Sequence, residues 1–215
     1  GGGSLLWMDA SDMMRVGPRS AGSDPGPACY GRGGAEPTIT DASLLLGYLN
    51  PAGLAGGELP LDSGLAERAL AGIADRLGMS TTEAAVGAHR IINVQMAEQI
   101  RLITIKKGHD PRQFTLMAFG GAGPLHAGAL ASMLGMKGCL IPQTPGVLSA
   151  FGLLNANVEV EQQTSYLTPI EDADPDDLAT TLKGLEDRCV AIMREDGFNV
   201  ETVRARYSAD LRYIG

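Results

Sequence analysis

The chain has 215 residues, of which 44% are hydrophobic and 20% charged, a balance typical of a soluble globular protein with its own core. Its formal net charge is −8 and no stretch concentrates Lys or Arg, which excludes a nucleic-acid-binding role because phosphate backbones require clustered cations. The three cysteines lie far apart and no apolar stretch is long enough to span a bilayer. These features exclude a disulfide framework, a zinc site of the CxxC type and a membrane span, and they predict a cytoplasmic location.

The chain opens on a glycine-rich segment that precedes a predicted hairpin. Two short apolar runs on either side of a polar centre predict a β-hairpin over residues 5–17. Gly1, Gly2, Gly3 and Ser4 are typical of a flexible linker, but before a hairpin strand they also suit a turn that contacts phosphate. The residues alone leave both interpretations open.

Residues 17–40 form a predicted long loop, because their Gly and Pro content is incompatible with regular structure. Loops of this length in compact domains are usually functional or disordered. Cys29 and Tyr30 lie among rigid turns, which favours an ordered functional loop. Asp24 is a turn former by default, and as a loop carboxylate it also suits Mg²⁺. Cys29 is considered as a nucleophile, although no histidine lies near it in sequence.

A short helix is predicted over residues 42–49, with Thr40 or Asp41 as its cap. Asp41 suits a second role equally well in chemical terms, because its carboxylate oxygens are ligands that a divalent cation accepts. The helix cap is the favoured interpretation, and the metal ligand is kept as the alternative.

Two longer helices are predicted next. Apolar residues at helical spacing predict a helix over residues 63–77, and Gly78 suits the position after its end. Ser80 and Glu83 match a capping box that begins the next helix, which Gly108 stops.

The most informative stretch follows these helices. A short apolar run predicts a buried strand over residues 114–119, and a helix is predicted over about residues 124–134. Between them lie Gly120, Gly121 and Gly123. A strand, a glycine turn and a helix N-terminus bring backbone amides against a phosphate, so this stretch predicts a nucleotide-handling enzyme.

Two histidines lie on the predicted helices of this region. His126 lies in the first turns of the helix after the glycine turn, where it suits a core position and a role in proton transfer equally. His89, on an otherwise apolar helix, is interpreted as a core or interface histidine with its polar atoms satisfied.

The rest of the chain shows a change of composition after residue 157. Strands and helices alternate in the predicted order: strand 139–141, helix 147–154, strand 158–167, a helix between Asp174 and Gly197, and strand 200–213.

Six segments in order give the chain a resemblance to the hydantoinase A/oxoprolinase family. Each segment is weakly specific alone, but together they cover most of residues 1–156. They are residues 1–4, 16–31, 37–42, 107–112, 118–126 and 145–150.

The resemblance implies an α/β fold similar to the actin/Hsp70 (ribonuclease H-like) nucleotide-binding domain. It implies that residues 1–157 are the second half of this ATPase-like domain, with the first half preceding Gly1. Residues 158–215 would then begin a C-terminal α+β domain.

The resemblance also assigns candidate site residues. His126 and Asp24 are the candidate catalytic groups, and Asp41 is the candidate ligand of Mg²⁺. ATP would be contacted by the two glycine turns, through Gly1, Gly2, Gly3, Ser4, Gly120, Gly121 and Gly123.

The implied function is ATP-dependent hydrolysis of a cyclic amide of the 5-oxoproline or hydantoin type, as part of a larger enzyme. The implied partner is a hydantoinase B-type subunit or domain in a homo- or hetero-oligomer. One alternative is a subunit of an ATP-dependent ketone carboxylase, and another is a non-catalytic fragment that binds no ATP by itself.

Overall fold

A computed structural model describes residues 2–213. Its contacts divide the chain into two compact units, Gly1–Leu154 and Asn155–Gly215. The division falls close to the change of composition after residue 157. The assignment of these units to an ATPase-like domain and to the start of a further domain stays a prediction.

The first unit begins with the predicted hairpin. Strand β1 (Ser4–Met8) pairs antiparallel with strand β2 (Met14–Ser20). The prediction of a loop from residue 17 onward was wrong at its start, because Ser20 pairs with Ser4 and keeps the chain extended. Pairing with a partner strand overrides the local turn preference of glycine and proline at this sheet edge.

Helix α1 (Ile39–Leu45) begins earlier than the sequence predicted. Its cap is Thr38 rather than Thr40 or Asp41, and Asp41 is the third residue of a capping box. The Thr38 side chain accepts a hydrogen bond from the backbone N–H of Asp41, while the Asp41 carboxylate accepts one from the backbone N–H of Thr38.

Helices α2 (Ser63–Leu77) and α3 (Thr81–Lys106) confirm the predictions made from periodicity and caps. Gly78 ends α2 in the left-handed region, and Ser80 forms the predicted capping box with Glu83 at the start of α3. With 26 residues α3 is the longest helix, yet no helix within residues 2–213 is both long enough and apolar enough to cross a membrane.

Helix α3 connects the two halves of the first unit. Its N-terminal half packs with the hairpin, α1 and α2 around one apolar cluster, and its C-terminal half packs against a later helix around another. The first cluster is composed of Leu6, Val16, Ile39, Ala42, Leu70, Ile73, Ala74, Ala84, Ala85 and Ala88. The second is composed of Ala97, Leu130 and Leu134.

A small β–α–β unit follows α3. Strand β3 (Leu116–Met117) runs parallel to strand β4 (Cys139–Leu140), and helix α4 (Gly123–Met133) connects and contacts both. Helix α5 (Leu148–Asn155) comes next. Because the strands are parallel, the loops that follow β3 and β4 emerge at the same edge of the sheet.

The prediction of a buried strand at residues 114–119 was wrong in its burial. Met117 is 48% and Phe119 50% exposed, and Ala118 is the buried residue of this run. Within the described residues the sheet has two strands, with α4 packed on it, and most of the side chains of this run stay exposed.

The second unit contains helix α6 (Pro175–Glu195), capped by Asp174, whose side chain accepts from the N–H of Asp176. Strands predicted at residues 158–167 and 200–213 were wrong, because neither segment is paired with another within the described residues. Alternating polarity is compatible with a strand, but a strand forms only where a neighbouring edge offers hydrogen bonds. The α+β class predicted for this unit therefore lacks its strands in the part of the chain described.

Candidate functional site

The glycine turn at residues 120–123 lies directly beyond the carboxyl end of β3. Gly120 adopts a φ of 83°, which favours glycine, and its N–H donates to the carbonyl of Pro145 at 2.8 Å. This bond ties the loop after β3 to the loop after β4. Ligands of open α/β sheets bind at this place, in the crevice beyond the carboxyl ends of neighbouring parallel strands.

The surface over this turn is open. A Cβ built on Gly120, Gly121 or Gly123 would have no atom within 4 Å. No side chain of the protein therefore covers the main chain at these positions. These glycines are therefore not required by packing within the described protein, apart from the positive φ of Gly120. A ligand is able to approach the backbone here without meeting a side chain.

Helix α4 begins at this turn with no side-chain cap. The N-cap residue is Ala122, the first turn contains no acidic residue, and Pro124 has no N–H to satisfy. The first amides of a helix carry partial positive charge and lack intrahelical acceptors. The turn and the helix start together offer donors suited to an anion such as a phosphate.

The first glycine segment has a different environment. A Cβ at Gly2 would collide with Thr40 Oγ1, and one at Gly3 would lie 2.9 Å from Ser20 Oγ. The N–H of Thr40 donates to the carbonyl of Gly2 at 2.8 Å. Here glycine is needed because the chain packs closely on the start of α1. Gly1, also predicted to contact ATP, lies outside the described residues.

A chain of buried polar contacts connects the two glycine segments. Gly2 bonds to the first turn of α1, and one turn later Ser43 Oγ lies 2.9 Å from His89 Nε2. The His89 ring on α3 stacks on His126 in the first turns of α4, with ring centroids 5.0 Å apart. The two segments thus border one cluster formed by α1, α3 and α4.

His126 is buried, with 4% of its surface exposed, and its Nδ1 lies 2.8 Å from Asn93 Oδ1. Burial lowers the pKa of His126, because removing the ring from water disfavours its charged form. The side chain is therefore neutral at neutral pH. Its placement one turn from the glycine turn is compatible with both predicted roles, in the core and near a ligand.

His89 is 6% exposed and has a satisfied polar contact, which confirms its interpretation as a core histidine. Burial, with a smaller contribution from the charge of His126, lowers its pKa to about 4. Its ring also forms a T-shaped contact with Tyr48, with centroids 5.1 Å apart.

Asp41 has no exposed surface, and its carboxylate is surrounded by donors. Within 2.8 Å it accepts hydrogen bonds from the N–H of Cys29 and from both the N–H and the hydroxyl of Thr38, and the N–H of Ala28 lies at 3.4 Å. Asp41 is thus the third residue of the capping box and not the cap itself, which is Thr38. Because its oxygens already serve these donors, Asp41 is unsuited to hold a metal ion.

Two further residues of the predicted loop have clear environments. Cys29 is fully buried, and burial raises the pKa of its thiol, so a reactive thiolate is disfavoured. Asp24 lies in an exposed turn, and its side chain makes no hydrogen bond or ion pair within residues 2–213. Within the same residues no hydrogen bond joins Asp24 to the histidine cluster, which is composed of His89, His126, Asn93 and Ser43. Across the same residues, no group of three or more His, Cys, Asp or Glu side chains is placed to hold a metal.

Asn93 and Ser43 were missed by the sequence analysis. Both contact a histidine that is distant in sequence, so no local pattern shows the pairing. A signal exists in α3, where His89 and Asn93 are four residues apart and therefore share a helix face. Two polar side chains on one face of a largely apolar helix indicate a buried polar cluster.

The comparison with known proteins decides the family. The family model for hydantoinase/oxoprolinase matches residues 1–162. The chain belongs to the hydantoinase/oxoprolinase family. The glycine turns and the histidine cluster all lie within the matched residues.

Among the members of this family, the chain is similar to the caprolactamase alpha subunit of Pseudomonas jessenii, with 41% identity over all of this chain and 32% of that protein. The crystal structure of the ATP-dependent caprolactamase from P. jessenii matches with a TM-score of 0.69 and 42% identity, over 94% of this chain and 30% of that one. A nucleotide-free structure of acetone carboxylase, an enzyme of ATP-dependent acetone carboxylation, matches with a TM-score of 0.76 and 30% identity, again over 94% and 30%. The chain thus spans about a third of the length of these relatives, whose folds are mixed α/β.

Proposed function

We propose that this chain forms part of the ATP site of an enzyme that hydrolyses a cyclic amide. The observation that carries the proposal is the bare glycine turn at residues 120–123. It lies beyond the carboxyl end of β3, is tied to the neighbouring loop through Pro145, and leads into the uncapped start of α4. The description of two relatives as ATP-dependent supports a nucleotide as the ligand of this turn.

The nucleotide would lie between the turn at residues 120–123 and the segment of Gly2, Gly3 and Ser4, in a fold of the actin/Hsp70 type. When bound, ATP would supply the phosphoryl group that makes the amide carbonyl reactive toward water, and the ring would open as the C–N bond breaks and the nitrogen leaves as the amine. Backbone amides of the turns would hold the phosphate oxygens, and His126 would accept a proton near the reacting ring.

Magnesium is proposed to accompany ATP, because phosphoryl transfer requires a cation on the phosphates. The unpaired carboxylate of Asp24 is the predicted group that remains available to it, or to act in catalysis, since Asp41 is occupied by its own donors. A hydantoinase B-type partner is proposed because the caprolactamase relative is itself a subunit. The three free cysteines are compatible with the predicted cytoplasmic location.

Ketone carboxylation is the second candidate. The specific observation in its favour is the TM-score of 0.76 with acetone carboxylase, above the 0.69 with caprolactamase. The sequence identity favours caprolactamase instead, at 42% compared with 30% for acetone carboxylase. We place the amidase first because sequence identity follows side-chain chemistry more closely than backbone shape does.

The proposal is tested by ATP turnover of the intact protein with its partner subunit. Turnover is expected to depend on a cyclic amide, with caprolactam, 5-oxoproline and a hydantoin as the substrates compared. Turnover that responds to bicarbonate and acetone would instead select the carboxylase. If calorimetric titration with Mg-ATP shows no binding, the chain is a non-catalytic fragment.

Substituting Gly121 by alanine is expected to weaken Mg-ATP binding by tenfold or more while leaving the thermal midpoint unchanged. The new methyl group meets no protein atom within 4 Å, so it interferes only with a ligand that touches the backbone. Calorimetric titration and thermal unfolding measure the two effects. Gly128→Ala in α4, which is equally open, is the matched control. Equal affinity in Gly121→Ala and Gly128→Ala would show that the turn does not contact the nucleotide.

A further inference from the structure

The hydrogen bond between His126 and Asn93 determines the tautomer of His126. His126 Nδ1 faces Asn93 Oδ1 at 2.8 Å, and an amide oxygen only accepts hydrogen bonds. His126 must therefore donate from Nδ1. In a neutral imidazole the other nitrogen, Nε2, then has a free lone pair.

His126 Nε2 has no hydrogen-bond partner within residues 2–213, although the residue as a whole is buried. Every fully buried side-chain nitrogen or oxygen among these residues has a partner. It follows that Nε2 is not fully buried and keeps some accessible surface. An acceptor that is unpaired within the described residues, on a side chain one turn from the glycine turn, is available to a ligand.

The neighbouring ring is fixed in a similar way. The hydroxyl of Ser43 donates its single proton to the carbonyl of Ile39 at 2.7 Å, so toward His89 Nε2 it only accepts. His89 is therefore the neutral tautomer with its proton on Nε2. Its face lies against His126 at an interplanar angle of 22°.

The stacked contact has an electrostatic consequence. Among the described residues, the groups that hydrogen-bond or stack on the two rings from other elements are Ser43 of α1, Tyr48 of the following turn and Asn93 of α3, and none of them is a carboxylate, a lysine or an arginine. No carboxylate bonds to either ring in the part of the chain described. A proton on one ring would disfavour a proton on the other through like-charge repulsion.

We propose that Asn93 and His89 are positioning residues that present His126 as a neutral base, with Nδ1–H held by Asn93 and the Nε2 lone pair directed to the ligand. His126 in this state accepts a proton and does not donate one. The inference rests on the proposed function for the identity of the ligand, but the tautomer itself is independent of any substrate.

The test uses the intact protein with ¹⁵N-labelled histidine and long-range proton–nitrogen correlation spectra at neutral pH. This chain has three histidines, and His89→Gln, His109→Gln and His126→Gln assign their signals. We expect a protonated Nδ1 and an unprotonated Nε2 for His126. A protonated Nε2 in the unsubstituted protein would overturn the proposal without the need for any variant.

Two variants of Asn93 separate positioning from structure. Asn93→Asp keeps the acceptor and its shape, so the Nδ1–H tautomer is expected to persist, with a higher His126 pKa beside the new carboxylate. Asn93→Leu removes the acceptor, so the tautomer preference is expected to disappear and kcat to fall tenfold or more. If kcat is unchanged while the tautomer is lost, the positioning role is wrong.

The proposal and the proposed function fail separately in this design. Absence of any ATP turnover with cyclic amides would remove the proposed function, whereas the spectra would still report the tautomer. His109→Gln is the matched control, because His109 contacts Phe114 and lies outside the cluster. A shift of the His126 signals in His109→Gln would contradict the independence of the cluster.

Discussion

Replacing Asp41 by alanine is expected to destabilise the protein by about 3–5 kcal/mol, the largest effect of any single change considered. The carboxylate has no exposed surface and serves the backbone of both Thr38 and Cys29. Its removal leaves buried N–H groups without acceptors in the loop and at the start of α1. The free energy of unfolding from urea titration measures the loss.

Asp41→Asn keeps the shape of the side chain and one acceptor oxygen, so it is the variant to use if Asp41→Ala does not fold. Its amide N–H₂ would face the N–H groups that the carboxylate accepts from, and the free energy of unfolding is expected to fall by about 2–4 kcal/mol. Asp62→Ala is the matched control, because Asp62 is an exposed cap that accepts one hydrogen bond from the N–H of Leu65. We expect the control to lose about 1 kcal/mol. A loss in Asp41→Ala no larger than in Asp62→Ala would contradict the structural role.

The metal-ligand alternative for Asp41 makes an opposite prediction. A cation bound by Asp41 would stabilise the folded protein as Mg²⁺ is added, through preferential binding to the native state. Such stabilisation would be lost in Asp41→Asn. We expect Mg²⁺ to have the same effect on the unfolding of both proteins.

Local signals explain why α2 and α3 were predictable from sequence. The glycine after α2 and the Ser80–Glu83 capping box at the start of α3 involve residues within one helical turn of each other. Signals of this kind are visible in the sequence alone. The start of α1 is ambiguous when it is predicted from local signals alone. Thr38, Thr40 and Asp41 are all capping residues by type, and only the packing of the preceding loop selects Thr38.

A strand forms only when it pairs with a second strand, and the sequence of one segment does not show which segment that partner is. Residues 158–167 and 200–213 have the alternation of a strand but no pairing within the described chain. The opposite error occurred at Ser20, which belongs to β2 although a glycine and a proline precede it. Ser20 is in the strand because it pairs with Ser4 of β1. Pairing over distance, and not local preference, decided both outcomes.

The candidate site contains both local features and contacts between residues distant in sequence. The glycine turn at residues 120–123 was recognisable because a strand, a turn and a helix follow one another in the chain. The contact between His126 and Asn93 joins two helices across 33 residues, and that between Ser43 and His89 joins two across 46. Such pairs require the packing of α1, α3 and α4 to be known first.

The histidine cluster predicts that the protein loses stability in mild acid. His89 has a pKa of about 4 when folded and the ordinary value of 6.5 when unfolded. Below the unfolded value the unfolded chain binds more protons, so stability present at neutral pH is lost as the pH falls from 6.5 toward 4. We expect His89 alone to contribute a loss of about 2 kcal/mol between roughly pH 7 and pH 5. The lowered pKa of His126 acts in the same direction.

Urea titrations across this pH range measure the slope, and His89→Gln is the informative variant. Glutamine keeps an N–H that reaches toward Ser43 but does not titrate, so its stability should vary less with pH than that of the unsubstituted protein. His109→Gln is the matched control, since His109 is exposed and its substitution should leave the slope unchanged. If His89→Gln and the unsubstituted protein show the same pH dependence, the acid sensitivity arises elsewhere. The stacked pair would then be accessible to water in solution, because only burial makes its protonation unfavourable.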